Sequence, residues 1–407
     1  MRILILSFYY EPDLSAGSFR NTALVKALSE KLTADDEVEV ITATPSRYQS
    51  FSPSADKTEL KENLSVHRVP VRQHGSSLLG QVFAFLDYAR GVYKLTRNKS
   101  YRLVYASSSR QMTALLGAIV ARRIGAPLYL DIRDIFTDNI KELYSHSPVR
   151  FLLPLFRYVE RLSIHTASKV NLASPFFVEH FTELDPTKNY SVFTNSVDQD
   201  MTTDSCSWLS EQQEHKEILY AGNIGKGQNL HLIIPDIARS LDPPWRIRII
   251  GDGGGRRLLE ESIDEFDNVI LQPPITRSRL KDYYSAATIL FLHLSDFPVL
   301  GKVIPSKIFE YAASGRPIIA GAQGKTAEFI SENVANSAIF KPCDADDFHE
   351  ALKNIRLEQT PRTDFCEKYS RASIMNQMSL DILETIPPQS SPSTDPSQNK
   401  LSSTESK

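Results

Sequence analysis

Cysteine is scarce in this 407-residue chain: Cys206, Cys343 and Cys366 stand far apart, with no metal-type spacing between them. An odd and scattered set builds neither a disulfide framework nor a zinc site, which points to a reducing compartment. The opening "MRILILSFYYEPD" is too short in apolar residues to span a membrane and lacks the small-residue cleavage site of a secretory leader. It reads as a buried first strand. In "YAGNIGKGQNL" no Gly-Lys-Ser/Thr follows at the spacing of a Walker A loop, which disfavours a nucleoside triphosphatase. The dinucleotide fingerprint also lacks its acid, because Asp267 lies before the strand "NVILQ" rather than after it. A nicotinamide role is disfavoured with it.

Acid is nearly missing from one stretch. Between Val66 and Gly125, ten lysines and arginines stand against one acid, Asp87, although the whole chain carries a net charge of only -3. Within that stretch "GQVFAFLDYARGVYKLTR" places Val82, Phe85, Leu86, Ala89 and Val92 at helical spacing, with Arg90, Lys94 and Arg97 on another face. Two readings stand side by side: a core-packed helix with a solvated face, or a face turned to an anionic membrane or acceptor. "RFLLPLFRYVERL" from Arg150 is a second candidate of the same kind, kinked or ended by Pro154. Nucleic acid is disfavoured, since no stacking-aromatic or groove-reading motif accompanies the charge.

What is present is the composition of an ordinary globular protein, 41% hydrophobic and 23% charged, at a length beyond one core. Apolar runs bounded by turn signals alternate with helical patterns, the pattern of parallel sheets with crossover helices. A first series runs "RILILSF", "EVEVITA", "SVHRVPV", "YRLVYAS", "PLYLDI" and "SKVNLAS"; a second runs "EILYAGN", "WRIRIIGDG", "NVILQ", "TILFLHL", "RPIIAG" and "SAIFKP". The expected fold is α/β, with two doubly wound parallel-sheet domains. Residues 1–200 form the first and 217–363 the second, with a polar linker over 201–216 between them. A last helix spans 364–386, and the Pro/Ser/Thr-rich residues 387–407 lack the apolar content to order themselves.

In such sheets ligands collect where strand ends lead into helix N-termini. Four loops meet that condition. In "FYYEPDLSAGSFRN" Gly17 allows close backbone approach; in "YAGNIGKGQNL" Gly222, Gly225 and Gly227 permit a turn against a phosphate while Lys226 adds a charge. "IIGDGGGRR" places glycines after a strand, and an ordinary turn explains it equally well. In "KVIPSKIFEYAASGRPIIAG" Pro305 suits a first helical turn, Ser306 can cap free amides, Ile308, Tyr311 and Ala312 give a buried face, and Gly315 stops the helix. Glu310, off that face, can accept from vicinal hydroxyls, and Lys307 and the amides can donate to phosphate oxygens. A sugar nucleotide has both groups. The helix dipole alone also favours a glutamate there.

"FYYEPDLSAGSFRNTALVKAL", "YAGNIGKGQNL", "IIGDG" and "IPSKIFEYAASGRPIIAG", in that order, resemble the retaining glycosyltransferases of family 4 with the GT-B fold, and the resemblance runs from Met1 to about Ile386. "TNSVD" at 194–198 resembles the family's interdomain Asn-Gly-Val-Asp, with Ser196 in place of glycine. The Pro-Ser-Lys before Glu310 is similar to bacterial enzymes of lipopolysaccharide, O-antigen, capsule or exopolysaccharide synthesis. The resemblance implies two Rossmann-like domains facing across a cleft, donor held by the second, acceptor mainly by the first, and a final helix crossing back. By it, Glu310 binds the donor ribose. Gly17, Gly222, Asn223, Gly225, Gln228, Gly251, Gly253, Ser306 and Lys307 fall at or near donor-binding positions, and Asp134, Arg133 and Lys226 at catalytic ones.

Two departures stand out. Lys302 replaces the first member of the family's glutamate pair, and Gln228 followed by Asn229 replaces its usual basic residue, leaving the diphosphate to Lys226 or Lys307. The resemblance further implies no cofactor and no dedicated metal. The partners it implies are a nucleoside diphosphate sugar, UDP-linked, and a saccharide or polyprenyl-linked acceptor; the basic stretch adds an anionic membrane surface, on the cytoplasmic side. A UDP-sugar epimerase of the same fold and a catalytically silent sugar-nucleotide-binding subunit remain as alternatives.

Overall fold

The computed structural model describes residues 1–47, 53–72, 78–145, 147–201 and 215–388. Most of the linker expected over 201–216, nearly all of the tail from 387, and Cys206 lie outside the described residues. The first half runs β1 (Arg2–Leu6), α1 (Ala16–Ser29), β2 (Glu37–Ala43), β3 (Thr58–Lys61), β4 (Leu64–Val69), α2 (Leu78–Thr96) and β5 (Leu103–Ser107). It continues with α3 (Gln111–Ile124), β6 (Leu128–Ile132), α4 (Phe136–Leu143), α5 (Leu153–Thr166), β7 (Lys169–Leu172), α6 (Val178–Leu184) and β8 (Tyr190–Val192). The second half runs β9 (Lys216–Asn223), α7 (Leu230–Ser240), β10 (Trp245–Asp252), α8 (Arg256–Ile263), β11 (Val269–Gln272), α9 (Arg277–Ala286) and β12 (Ile289–His293). It closes with α10 (Ser306–Ala313), β13 (Ile318–Gly321), α11 (Gly324–Asn333), β14 (Ser337–Phe340), α12 (Ala345–Asn354), α13 (Thr363–Lys368) and α14 (Arg371–Glu384).

Two sheets result, in the orders β3-β4-β2-β1-β5-β6-β7-β8 and β11-β10-β9-β12-β13-β14. Every pairing is parallel except β3 on β4. The continuous apolar runs follow from that arrangement: strands covered by helices on both faces have no solvent side, so β1, whose partners are β2 and β5, buries Ile3, Leu4, Ile5 and Leu6 completely. In each sheet the strand order reverses beside its first strand, and the loops at that reversal carry the glycines. The short edge strands β3 and β8 were not expected from the sequence. Each has one neighbour, and an edge with so little burial leaves no alternating pattern to read.

One face of the first sheet packs α2, α3 and α5 through Ala84, Tyr88, Val92, Ala114, Ala118 and Ile164; the other packs α1 and α14. The last helix crosses back between the halves, burying Met375, Met378 and Ile382 beside Leu24, Val25 and Leu28 of α1. Three such side chains are worth about 2 kcal/mol each, enough to dock a 14-residue helix. The single helix expected over 364–386 is broken in two at Tyr369 and Ser370. There the Val197 amide donates to the Tyr369 carbonyl and the Arg371 amide to the Val197 carbonyl, both at 2.8 Å, so the two strands of chain that cross between domains are bonded to each other.

Helix α2 is rotated from the face its periodicity suggests. Val82 and Leu86 are 53% and 40% exposed, while Ala84, Tyr88 and Val92 are buried. Two contacts set the rotation: the Tyr88 hydroxyl donates to the Ile41 carbonyl at 2.8 Å, and Gly91 sits where any Cβ would come within 2.3 Å of Val69. Apolar spacing alone does not carry either signal.

Candidate active site

The strand ends of β9, β10 and β12 face the loops after β1, β2 and β6 across a gap, enclosing a cavity of about 670 Å³. On the donor-expected side, the loop after β9 is fixed from several directions. The Gly225 carbonyl accepts from the Gln228 and Asn229 amides, Asn223 Nδ2 donates to Gln228 Oε1 at 3.0 Å, and Asn229 Nδ2 donates to Ser295 Oγ at 2.7 Å. His293, at the end of β12, is a further clamp. Its Nε2 accepts from the Cys343 amide at 3.0 Å, which leaves Nδ1–H to donate to the Gln228 carbonyl at 2.6 Å. Burial pushes the imidazole down to about 4, against the pull of that carbonyl, so the ring stays neutral. Gly251 admits no other residue, because a Cβ there would lie 1.9 Å from the Gly222 carbonyl oxygen.

Helix α10 starts differently from the sequence expectation. Pro305 holds the cap position and Ser306 is the first helical residue, so no side chain caps the helix. The Ile308 amide bonds to the Pro305 carbonyl, and the Ser306 and Lys307 amides have no acceptor among the described residues. An uncapped helix start at a cleft is an anion site in waiting. Gly315, with φ of 70°, ends the helix as expected, because that left-handed conformation follows its last turn.

Glu310, one turn into α10, is 6% exposed. Its Oε2 accepts from Lys307 Nζ at 2.8 Å and from the Tyr284 hydroxyl of α9 at 3.0 Å, while Lys307 also donates to that hydroxyl. Its Oε1 takes no hydrogen bond among the described residues and lies 3.5 Å from Arg277 Nη2. Burial alone would raise this carboxyl; Lys307 and Arg277 overcome it and hold it down to about 2. The group is a fixed anion on the cavity wall, with one oxygen that faces Arg277 but takes no hydrogen bond among the described residues.

Arg277 joins the two domains at this point. Its guanidinium lies 3.1 Å from Asp198, which Arg371 also engages at 2.6 Å, and stacks 4.5 Å over the Phe19 ring of α1. Sequence reasoning missed Arg277, although it begins the helix after β11 and the same strand-to-helix rule reaches it. It also missed Arg47, after β2, which lines the cavity and whose Nη2 donates to Asn223 Oδ1 at 3.4 Å across the gap. Tyr284 gave no signal at all, being 26 residues from the carboxylate it touches.

From the other side, Asp134 opens into the cavity beyond β6. Enclosure by the cleft walls pushes its carboxyl up to about 6, against the attraction of Arg133. Asp134 is nonetheless solvent-exposed on the open side of the cleft, which moderates that push. Arg133 itself turns to the interdomain segment, where Nη2 donates to Asn195 Oδ1 at 2.8 Å. Thus Gly222, Asn223, Gln228, Gly251, Ser306, Lys307, Glu310 and Asp134 meet on one cavity. Gly17, Gly225, Gly253, Arg133 and Lys226 stand beside or behind its wall; Lys226 reaches over to sit 4.7 Å above the Tyr144 ring, and Gly17 packs against Ser109.

Residues 22–195 match a family model described as a glycosyl transferase 4-like domain, and residues 208–373 match one described as glycosyl transferases group 1. The chain belongs to the GT-B glycosyltransferases. Among solved structures, this glycosyltransferase is similar to sucrose-phosphate synthase from Thermosynechococcus elongatus, at 15% identity and a TM-score of 0.72 over 94% of this chain and 98% of that one. It is also similar to HepE of Anabaena in complex with UDP and glucose, at 17% identity and a TM-score of 0.66 over 94% and 99% of the two chains. The lipopolysaccharide outer core galactosyltransferase WaaB shares the fold at 15% identity and a TM-score of 0.57, over 94% and 99%. No curated protein sequence matches the chain. At these identities the likeness speaks for the GT-B fold: two parallel-sheet domains around a cleft.

Proposed function

We propose that this GT-B chain is a retaining hexosyltransferase of family 4 that uses a UDP-sugar and acts in cell-surface polysaccharide synthesis. The acceptor is a saccharide or a polyprenyl-linked chain, met at the cytoplasmic face of an anionic membrane. One observation carries the reading: Glu310, whose Oε1 faces Arg277 but takes no hydrogen bond among the described residues, lies on the same cavity wall as the uncapped start of α10 and Lys307. A carboxylate oxygen accepts from ribose hydroxyls, and amides with an ammonium beside them donate to a diphosphate. Two of the solved structures similar in fold contain UDP with glucose or UDP-glucose, which supports the choice of nucleotide.

In the reaction the bond between the anomeric carbon and the diphosphate oxygen breaks as the acceptor hydroxyl attacks from the same face. Negative charge grows on the diphosphate, and each well-placed donor is worth roughly 3 to 4 kcal/mol of barrier. Lys307 and the α10 amides fill that role, with Arg47 reaching in from the first domain and Lys226 at the cavity edge. A leaving-group oxygen takes the acceptor proton. Asp134, an anion above pH 6, lies on the acceptor side to favour the cationic sugar. Because the first glutamate of the family pair is Lys302 here, a silent sugar-nucleotide-binding subunit is the competing reading.

Incubation with a panel of UDP-sugars and a lipid extract separates these outcomes. New glycosylated product supports transfer, an altered free sugar nucleotide an epimerase, and binding without change the silent subunit. Undiminished transfer by Glu310→Ala at limiting donor would refute the assigned donor seat.

A further inference from the structure

Most of the exposed large apolar side chains among the described residues stand on three helices of the first domain and the turn before one of them. On α2, Leu79 is 73% exposed, and Val82, Phe83 and Leu86 stand out beside it. On the turn before α5 and on α5 itself, Phe151 is 75% exposed, followed by Leu155 and Tyr158. Helix α3, which packs between α2 and α5 on one sheet face, adds Ile119. Monomeric proteins rarely leave so many large apolar side chains uncovered on adjacent elements without a partner.

Charge identifies the partner. Arg90, Lys94, Arg122, Arg157 and Arg161 are exposed on the same three helices, and Arg97 follows α2 directly. Their only acids are Asp87, which is paired with Arg72 and Arg90, and Glu160, which is buried. Several cations lean on the exposed aromatics: Arg72 over Phe83 at 5.3 Å, Arg123 over Tyr93 at 4.9 Å, and Arg150 over Phe151 at 5.4 Å. A second copy of this chain docked here would set cations against cations. A bilayer with anionic headgroups accepts both the apolar side chains and the charges around them.

Along α2 and α3 the cations lie toward the helix ends. On α2 the exposed Leu79, Val82, Phe83 and Leu86 precede Arg90 and Lys94, and α3 carries Arg122 and Arg123 at its end, with Tyr93 and Ile119 among the cations. The apolar end adjoins the cleft: Arg110, whose guanidinium stacks 3.8 Å over Phe8 beyond β1, donates to the Gln81 carbonyl, and the cavity-lining Phe136 packs edge-on against Phe156 of α5.

We infer that α2, α3 and the start of α5 form a docking face for an anionic lipid bilayer, with the apolar end inserted next to the cleft mouth, so that a membrane-embedded acceptor meets the site without leaving its bilayer. The orientation rests on the acceptor proposed above; the docking itself rests on the surface alone.

Flotation with phosphatidylcholine vesicles, with and without phosphatidylglycerol, tests it on the full chain. The chain is expected to float with the anionic vesicles. Paired Phe83→Ser and Phe151→Ser removes insertion and abolishes flotation. Paired Lys94→Gln and Arg122→Gln lowers partitioning about fivefold per charge, roughly 25-fold together. All four positions lie outside the cavity wall, so UDP binding and transfer to a soluble saccharide stay unchanged, which separates failure here from failure of the donor seat. Wild-type chain that ignores vesicles, floats equally without phosphatidylglycerol, or forms a dimer that Phe151→Ser dissolves would overturn the inference.

Discussion

Replacing Glu310 by glutamine keeps the shape of the side chain and removes its charge, which makes it the sharpest probe of the donor seat. In the wild type, Oε2 is occupied by Lys307 and Tyr284, and Oε1 is the atom left for a ligand. Losing one hydrogen bond to a charged acceptor costs about 1.5–3 kcal/mol, so UDP affinity should fall about tenfold to a hundredfold. The fold should survive. Lys307 is 28% exposed and can turn to water, and Arg277 keeps its pairing with Asp198, so the loss of stability should be about 1–2 kcal/mol, below that of a fully buried broken pair. Calorimetric titration with UDP and with a UDP analogue lacking both ribose hydroxyls gives the decisive comparison. Wild type should discriminate between the two ligands, and Glu310→Gln should bind both with similar, weakened affinity. If the variant discriminates as strongly as the wild type, Glu310 does not touch the ribose and the donor seat is misplaced.

The wild-type carboxylate is held near 2 against an ordinary 4.5, so its contribution to stability is complete above pH 4.5 and disappears as pH falls toward 2; Glu310→Gln should flatten that acid limb of the melting curve. His293 titrates in another window. Held neutral to about pH 4, it stabilises the fold fully above pH 6.5 and progressively less as pH falls from 6.5 toward 4, a dependence that thermal melts of His293→Ala should lack, with weaker UDP binding as the Gln228 loop loosens. For Asp134, raised to about 6, transfer should increase as pH rises through 6; Asp134→Asn should lower kcat, flatten that limb and leave UDP affinity intact, and an unchanged profile would remove Asp134 from the reaction. Met378→Ala, in the buried seam between α14 and α1, should destabilise the chain by about 2–5 kcal/mol in denaturant titration, with no effect on folding cooperativity of the second sheet's own core.

The sequence by itself determined the two parallel sheets, because strands covered on both faces must be apolar throughout and their runs are legible without any partner in view. It also located the glycine loops and, to within a residue, the start of α10, and Gly315 is demanded by the left-handed conformation of its own backbone, whereas Gly251 is demanded by the Gly222 carbonyl of the neighbouring strand. Tertiary structure decided what no local pattern contains. Which oxygen of Glu310 takes a hydrogen bond depends on Tyr284 from a different helix; whether Arg133 serves the cavity or the hinge depends on Asn195; and whether Val82 and Leu86 are core or surface depends on how Tyr88 and Gly91 seat α2 on the sheet. Spacing along a helix fixes which residues share a face, but only the neighbour against which the helix settles decides which face is buried.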